Sequence, residues 1–379
     1  MKSNQTISAY ADEEIRLKEF RSGKDFLKTQ EVNMKKSVLL ILVFSIIMAL
    51  PSEAKNWMSK LPDNALICML SIPGTHDSGT GNGFEPEVEA YGERFARTQD
   101  LDIAKQWTAG IRAFDLRPCS HGDYLHINHS VISTNVRFDK VLFMLIDLLI
   151  ANPSEFAIIH MNHENDGDTD NNYNELAIKL LKDNRIKSYL VDFNSTLTVK
   201  DVRGKILIIS RDKYADEPIT GGFFSGWTGS DNWESQTSCH IKGKAGIDAP
   251  CYVQDYWATN APGTLKTKID IIRRMLDFST KHESTSRANA IWYFNMASAY
   301  ALADTLFGKP FALSDGYRLN ATHTNAAIIE YLKSHKAGPT GIVMADYVGV
   351  DKSNGYKVRG KKLIRAIIDN NFRYLPKRQ

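Results

Sequence analysis

A single α/β domain, a distorted TIM-type β/α barrel with parallel strands, is the fold this sequence predicts, and three observations predict it. About eight short apolar runs alternate with segments of helical periodicity between residues 62 and 372. No stretch rich in Pro, Gly and Ser divides them. The 379 residues, 43% of them hydrophobic, suffice for one large core. Strands separated by helices pair in parallel, and a sheet of that strand number closes into a barrel whose strand C-termini converge on one site.

Taken in order, residues 66–72 form a short apolar run bounded by turn residues, a buried strand ended by a Pro73-Gly74 corner. Residues 79–97, rich in Gly, Glu and aromatics, read as a loop or short helix, and 101–108 as a helix closed by Gly110. IRAFDL (111–116) and YLHINH (124–129) alternate as strands, and 137–150 is an apolar helix stopped by Asn152-Pro153. Residues 156–160 are the next strand; if it runs on, His160, Asn162 and Glu164 share one face, because strand side chains alternate. A helix follows over about 173–190, then the strand KILIIS (205–210). GGFFSGWTGSDNW (221–233) reads as a flexible loop in which Phe223, Phe224, Trp227 and Trp233 form either a packed lid or a surface that enters a bilayer. Strands at 252–254, 291–295 and 341–345 and helices at 265–278, 325–334 and 362–369 complete the alternation.

Residues 34–54 (MKKSVLLILVFSIIMALPSEA) join two lysines to an apolar run and then to small residues at cleavage spacing, the pattern of a signal peptide cut after Ala54. The run is short for a membrane span. The expectation is a secreted or periplasmic monomer that starts at Met34: residues 1–33 a non-native extension, 34–54 the signal peptide, 55–379 the catalytic barrel. Export permits disulfides, and among Cys68, Cys119, Cys239 and Cys251 the short 239–251 interval favours that pair; none has zinc-site spacing. A formal net charge of +3 without a basic block argues against a nucleic-acid partner.

The residues able to do chemistry stand at strand ends: His76 and Asp77 in LSIPGTHDSGT, then Arg117, His129, Glu164, Arg211, Asp255 and Asp346. Two histidines, each able to find a carboxylate, are what phosphodiester transfer needs. One neutral imidazole takes a proton from a nucleophilic hydroxyl and one imidazolium protonates the leaving alkoxide. An arginine at the phosphate neutralises the charge that accumulates, so neither metal nor cofactor is required. His126 and His163 are read as packing or surface residues. Arg112 and Asp115 are read as a structural pair, with Asp115 equally open to a place in the site.

The runs SIPGTHDSGT, GIRAFDLRP, LHINHS and NPSEFAIIHMNHE, followed by DVRGKILIISR, YVQDYW, IWYFNMAS and GIVMADYV, resemble the X domain of bacterial phosphatidylinositol-specific phospholipases C across residues 62–372. That resemblance implies His76 as general base on the inositol 2-hydroxyl, partnered by Asp346. It implies His129 as general acid, oriented by Asp77, and Arg117 on the phosphate in place of a metal. Arg211 and Asp255 would hold inositol hydroxyls, Glu164 and Asn162 would border the head group, and Tyr256 or Trp257 would stack on the ring. The chain departs from the pattern at Ser130, where Gly is common, and at Asn162, where Lys is common. The second departure leaves three readings: cleavage of phosphatidylinositol at a membrane surface, cleavage of a glycosyl-phosphatidylinositol or another glycerophosphodiester, or a non-catalytic inositol-lipid-binding module.

Overall fold

Nine strands close the barrel in the computed structural model, which describes residues 55–164, 168–227, 237–260, 263–282, 290–306, 309–312 and 314–376. The proposed extension, signal peptide and cleavage point fall outside these residues, as does Trp233. In chain order the strands are β1 (Ser71–Thr75), β2 (Ala113–Leu116), β3 (Pro118–His121), β4 (Tyr124–His129), β5 (Ile132–Arg137), β6 (Ala157–Met161), β7 (Ile206–Ser210), β8 (Gly222–Ser225), β9 (Thr237–Lys242), β10 (Asp248–Gln254), β11 (Ala258–Asn260), β12 (Trp292–Met296), β13 (Tyr300–Leu306), β14 (Lys309–Ala312) and β15 (Gly341–Ala345). The barrel runs β1-β15-β12-β10-β9-β8-β7-β6-β2 and closes from β2 to β1. All its pairings are parallel except those of β9, which lies antiparallel between β8 and β10. The longer helices are α1 (Glu89–Phe95), α2 (Ile103–Ala109), α3 (Phe138–Ala151), α4 (Asp170–Leu181), α5 (Gly263–Thr280), α6 (Gly316–Ser334) and α7 (Gly360–Tyr374). None among the described residues is long and apolar enough to cross a membrane.

Several elements differ from the sequence expectation. Pro73-Gly74 is not a corner but lies inside β1. The Pro73 carbonyl accepts from the Arg112 amide, and Gly74 is required because a Cβ would sit 2.5 Å from Sδ of Met344 and 3.0 Å from Cβ of Ala113. The chain turns at Asp77, in the left-handed region with φ 42°. The YLHINH strand is not a barrel strand: β3, β4 and β5 form a separate antiparallel sheet between β2 and α3, with His129 at the end of β4. Phe223 and Phe224 are not loop residues; they lie in β8, and both are buried in the main apolar core. The expected helix over 173–190 ends at Leu181, and a short helix follows at Asn184–Lys187. The disulfide expectation is also corrected. All four cysteines are buried free thiols, although Cys239 does stand directly opposite Cys251.

Arg112 does not pair with Asp115. At the N-terminal end of β2 it donates Nε–H to Glu155 Oε2 at 2.9 Å and NH1 to the Trp107 and Ile111 carbonyls, and its guanidinium lies 3.8 Å over the Trp107 ring. Both charges are fully buried, and burial against the pull of Glu155 lowers the Arg112 pKa to about 10. Arg112→Met strands the Glu155 carboxylate, so urea unfolding is expected to show a loss of about 3–5 kcal/mol. The double variant Arg112→Met/Glu155→Leu should recover most of that loss, since an apolar pair costs little where an orphaned charge costs much.

Candidate active site

The C-terminal ends of the parallel strands deliver the polar residues to one mouth. His76 and Asp77 follow β1, Asp115 and Arg117 lie in and just after β2, and Glu164 and Arg211 follow β6 and β7. Asp255, Ser298 and Asp346 follow β10, β12 and β15. The β3-β4-β5 sheet adds His129 from the side. A cleft of about 670 Å³ opens there, lined by His76, Arg117, His129, Glu164, Arg211 and Asp255 among others.

His76 is held from both ring nitrogens. Nδ1 is 3.0 Å from Asp346 Oδ1, and Ser298 donates to the other Asp346 oxygen at 2.6 Å. Nε2 faces the cleft, 2.9 Å from NH2 of Arg117 and 3.2 Å from Oδ2 of Asp77. Burial lowers the imidazole pKa, but the charges of Asp77 and Asp346 outweigh it and raise the value to about 9. His129 donates from Nδ1 to the Ala96 carbonyl at 2.7 Å, which leaves Nε2 toward the cleft, 3.5 Å from Asp77 Oδ2 and 3.3 Å from the Tyr317 hydroxyl. The two imidazoles stand edge to face with centroids 6.4 Å apart.

Asp77 is the common neighbour. Its buried oxygens lie within ion-pair reach of His76, His129 and, at 2.8 Å, the Nε of Arg117, yet neither accepts a well-aligned hydrogen bond. The left-handed turn at Asp77 is therefore what places one carboxylate between both histidines and the arginine. Asp115 belongs to the same cluster: Oδ2 accepts from Arg117 NH2 and from the Asp77 amide, each at 3.1 Å. Burial works to raise the Asp115 carboxyl, but the Arg117 guanidinium and His160 hold it well below the usual carboxylate range.

On the other side of the cleft Arg211 lies 3.9 Å from Asp255, and Asp255 accepts Nε1–H of Trp227 at 2.9 Å. Trp257 lines the cleft and is half exposed, whereas Tyr256 is buried and not among the lining residues. Asn162 is not among them either, because β6 ends at Met161 and the alternation expected to carry through to Glu164 stops there. Glu164 reaches the cleft and accepts the Ser130 amide at 2.6 Å. Ser130 itself is left-handed (φ 53°), the conformation glycine adopts without strain.

Sequence reasoning passed over Ser298, Tyr317 and Lys268. Lys268, fully buried on α5, donates to Gln254 Oε1 and to the Tyr256 and Met296 carbonyls, pinning the ends of β10 and β12. Burial lowers its pKa to about 7, against the pull of Asp255 and Asp346. A lone serine, tyrosine or lysine in a helical or loop context carries no spacing signal, so nothing in the chain marked these three.

His76, Asp77 and Asp115 each bring one donor atom within 4.8 Å of the others, which is the spacing of a cation site. The guanidinium of Arg117 contacts all three and supplies a fixed positive charge at that point.

Compared with known proteins, residues 87–212 match the family model described as "Phosphatidylinositol-specific phospholipase C, X domain". That stretch is similar to a phosphatidylinositol-specific phospholipase C X domain. Over 167 residues it is 35% identical to a 1-phosphatidylinositol phosphodiesterase of Listeria monocytogenes, covering 44% of this chain and 51% of that protein. Over 331 residues it is 25% identical to the protein of the same name from Staphylococcus aureus, covering 85% of this chain and 96% of that one. The solved structure of phosphatidylinositol-specific phospholipase C from Listeria monocytogenes superposes with a TM-score of 0.62 at 25% identity, covering 84% of this chain and 98% of that one. The X-domain match begins after His76 and Asp77 and ends before Asp255 and Asp346, so β1, β10 and β15 bring polar residues to the cleft from outside it.

Proposed function

We propose that this barrel cleaves phosphatidylinositol by internal attack, giving diacylglycerol and inositol 1,2-cyclic phosphate, which it then hydrolyses to inositol 1-phosphate. The observation that carries this reading is the pair of imidazoles facing one cleft across Asp77 and Arg117. His76, its Nδ1 toward Asp346, takes the proton of the inositol 2-hydroxyl on Nε2; the imidazolium so formed finds Asp77 at 3.2 Å. The oxygen attacks phosphorus, and Arg117 holds the non-bridging oxygens as charge accumulates. His129 gives its Nε2 proton to the departing diacylglycerol alkoxide. Water then enters by the reverse roles and opens the cyclic ester. Arg211 and Asp255 hold ring hydroxyls, with Trp257 against the ring.

Internal attack needs the adjacent hydroxyl, so phosphatidyl-2-O-methylinositol should not turn over. Diacylglycerol release from that analogue sinks the mechanism. Because Arg117 supplies the positive charge, activity is expected to be unchanged within about twofold after chelation, and a loss that calcium restores overturns the metal-free reading.

The substrate is taken from a membrane surface in an exported setting. Tyr91 on α1, Val131 after β4 and Trp257 after β10 all line the cleft mouth and are 57%, 65% and 49% exposed, an apolar rim beside a lipid-sized opening. These residues take the interfacial role first considered for Phe223 and Phe224. Tyr91→Ser/Val131→Ser should weaken sedimentation with phosphatidylinositol vesicles by about tenfold while leaving cleavage of water-soluble inositol 1,2-cyclic phosphate within a few-fold. Equal loss on both substrates contradicts the rim assignment.

A further inference from the structure

Beneath the cleft lies a second imidazole–carboxylate pair that the acid–base reading leaves unused. His160 stands directly across from Asp115 in the β2–β6 pairing and is 1% exposed. Its Nδ1 is 2.9 Å from Asp115 Oδ1. An ionised carboxylate only accepts, so Nδ1 carries the proton. Nε2, buried, has no hydrogen-bond partner among the described residues. The ring is clamped by aromatics, stacked on Trp227 at 4.8 Å with 15° between planes and edge-on to Phe224 at 5.7 Å.

The division of labour on Asp115 is the telling feature. Oδ1 is taken by His160, and Oδ2 alone serves Arg117 NH2 and the Asp77 amide. A free carboxylate beside a guanidinium turns to present both oxygens to the fork, which is the stronger geometry. Here that turn would draw Arg117 down into the barrel and away from the phosphate. We propose that His160 is a positioning residue: by donating Nδ1–H to Oδ1 it keeps Asp115 monodentate toward Arg117, so that the remaining guanidinium donors face the substrate's non-bridging oxygens. The proposal rests on the phosphodiesterase reading above.

The test uses the two diastereomers of phosphatidylinositol in which one or the other non-bridging oxygen is replaced by sulfur, since a fixed guanidinium distinguishes them and a displaced one does not. His160→Phe keeps a ring against Trp227 but removes the donor; His160→Asn places an amide N–H near the position of Nδ1. With His160→Phe, kcat on phosphatidylinositol is expected to fall about 10- to 100-fold with KM within about threefold, and the preference between diastereomers to shrink about tenfold toward that of Arg117→Lys. With His160→Asn, both should return to within about threefold of the parent chain. A folded His160→Phe with undiminished preference overturns the proposal, and so does His160→Asn that is no better than His160→Phe. If His160→Phe fails to fold, His160→Asn decides alone, because a loss of preference in that folded variant is also fatal. A parent chain that cleaves phosphatidylinositol yet shows no preference removes the positioning role, whereas one that cleaves no phosphatidylinositol removes the functional reading itself.

Discussion

His76→Ala is expected to lower kcat on phosphatidylinositol by about 10⁴-fold, and His129→Ala by a similar factor, with thermal unfolding little changed in either. Each imidazole makes one proton transfer, and a well-placed acid or base contributes about 10²–10⁴-fold. The upper end applies here because the carboxylates nearest His76 are already engaged. Asp346 is engaged with Nδ1 of His76 and with Ser298, and Asp77 sits beside Arg117 as a charged counter-ion. The two roles separate with the leaving group. On an inositol phosphate ester of nitrophenol, whose anion departs without protonation, the His129→Ala loss should shrink to tenfold or less while the His76→Ala loss stays. Equal losses on both esters would reverse or abolish the assignment of base and acid.

The acid limb of the pH–rate profile should lie unusually high. A base must be neutral to act, and burial opposed by two carboxylates leaves the free-site His76 with a pKa of about 9. In kcat/KM, which reports the free enzyme, the limb that tracks His76 is therefore expected near pH 9, with about one His76 in a hundred neutral at pH 7. Asp77→Asn removes one carboxylate charge, so the limb should move to lower pH even as the maximum rate falls through the weakened hold on Arg117 and His129. A limb that stays in place in Asp77→Asn shows that Asp77 does not set the base. The same coupling has a stability consequence with a definite sign. Because the folded value lies above the usual 6.5, the stabilisation gained by the charged ring is full below about pH 6.5 and is lost as pH rises through about 9. Thermal melts of the parent chain and of His76→Ala should thus converge over that window, apart from any constant offset.

Legibility differed between levels. The alternation of apolar strands with helices was readable because a parallel sheet buries both faces, so its strands stand out as continuous apolar runs such as ILIIS and GIVMA. β9, β11, β13 and β14 were not readable, being an inserted antiparallel strand and the members of a small added sheet, without a long apolar run. Pro73-Gly74 misled because the usual meaning of that dipeptide is a turn, whereas here it reflects close strand packing. Phe223 and Phe224 misled because glycines on either side suggested a loop, when those glycines admit a tight strand instead. Gly221 lies against the Ile208 backbone and Gly222 against Ile241.

The local sequence determined which residues reach the mouth of the barrel, since a strand end followed by polar residues is a property of consecutive positions. His76, Asp77, Arg117, Arg211, Asp255 and Asp346 stand at barrel strand ends in this way, whereas His129 arrives from the separate β3-β4-β5 sheet. Which of them touch was decided by tertiary structure alone. Asp77 lies between two histidines because of one left-handed turn, His160 rather than Arg112 meets Asp115 because of the β2–β6 register, and Asn162 is absent from the lining because β6 stops one residue earlier. Backbone dihedrals and strand register are settled by the packing of the whole barrel, and a change of one residue in either reverses the face a side chain occupies.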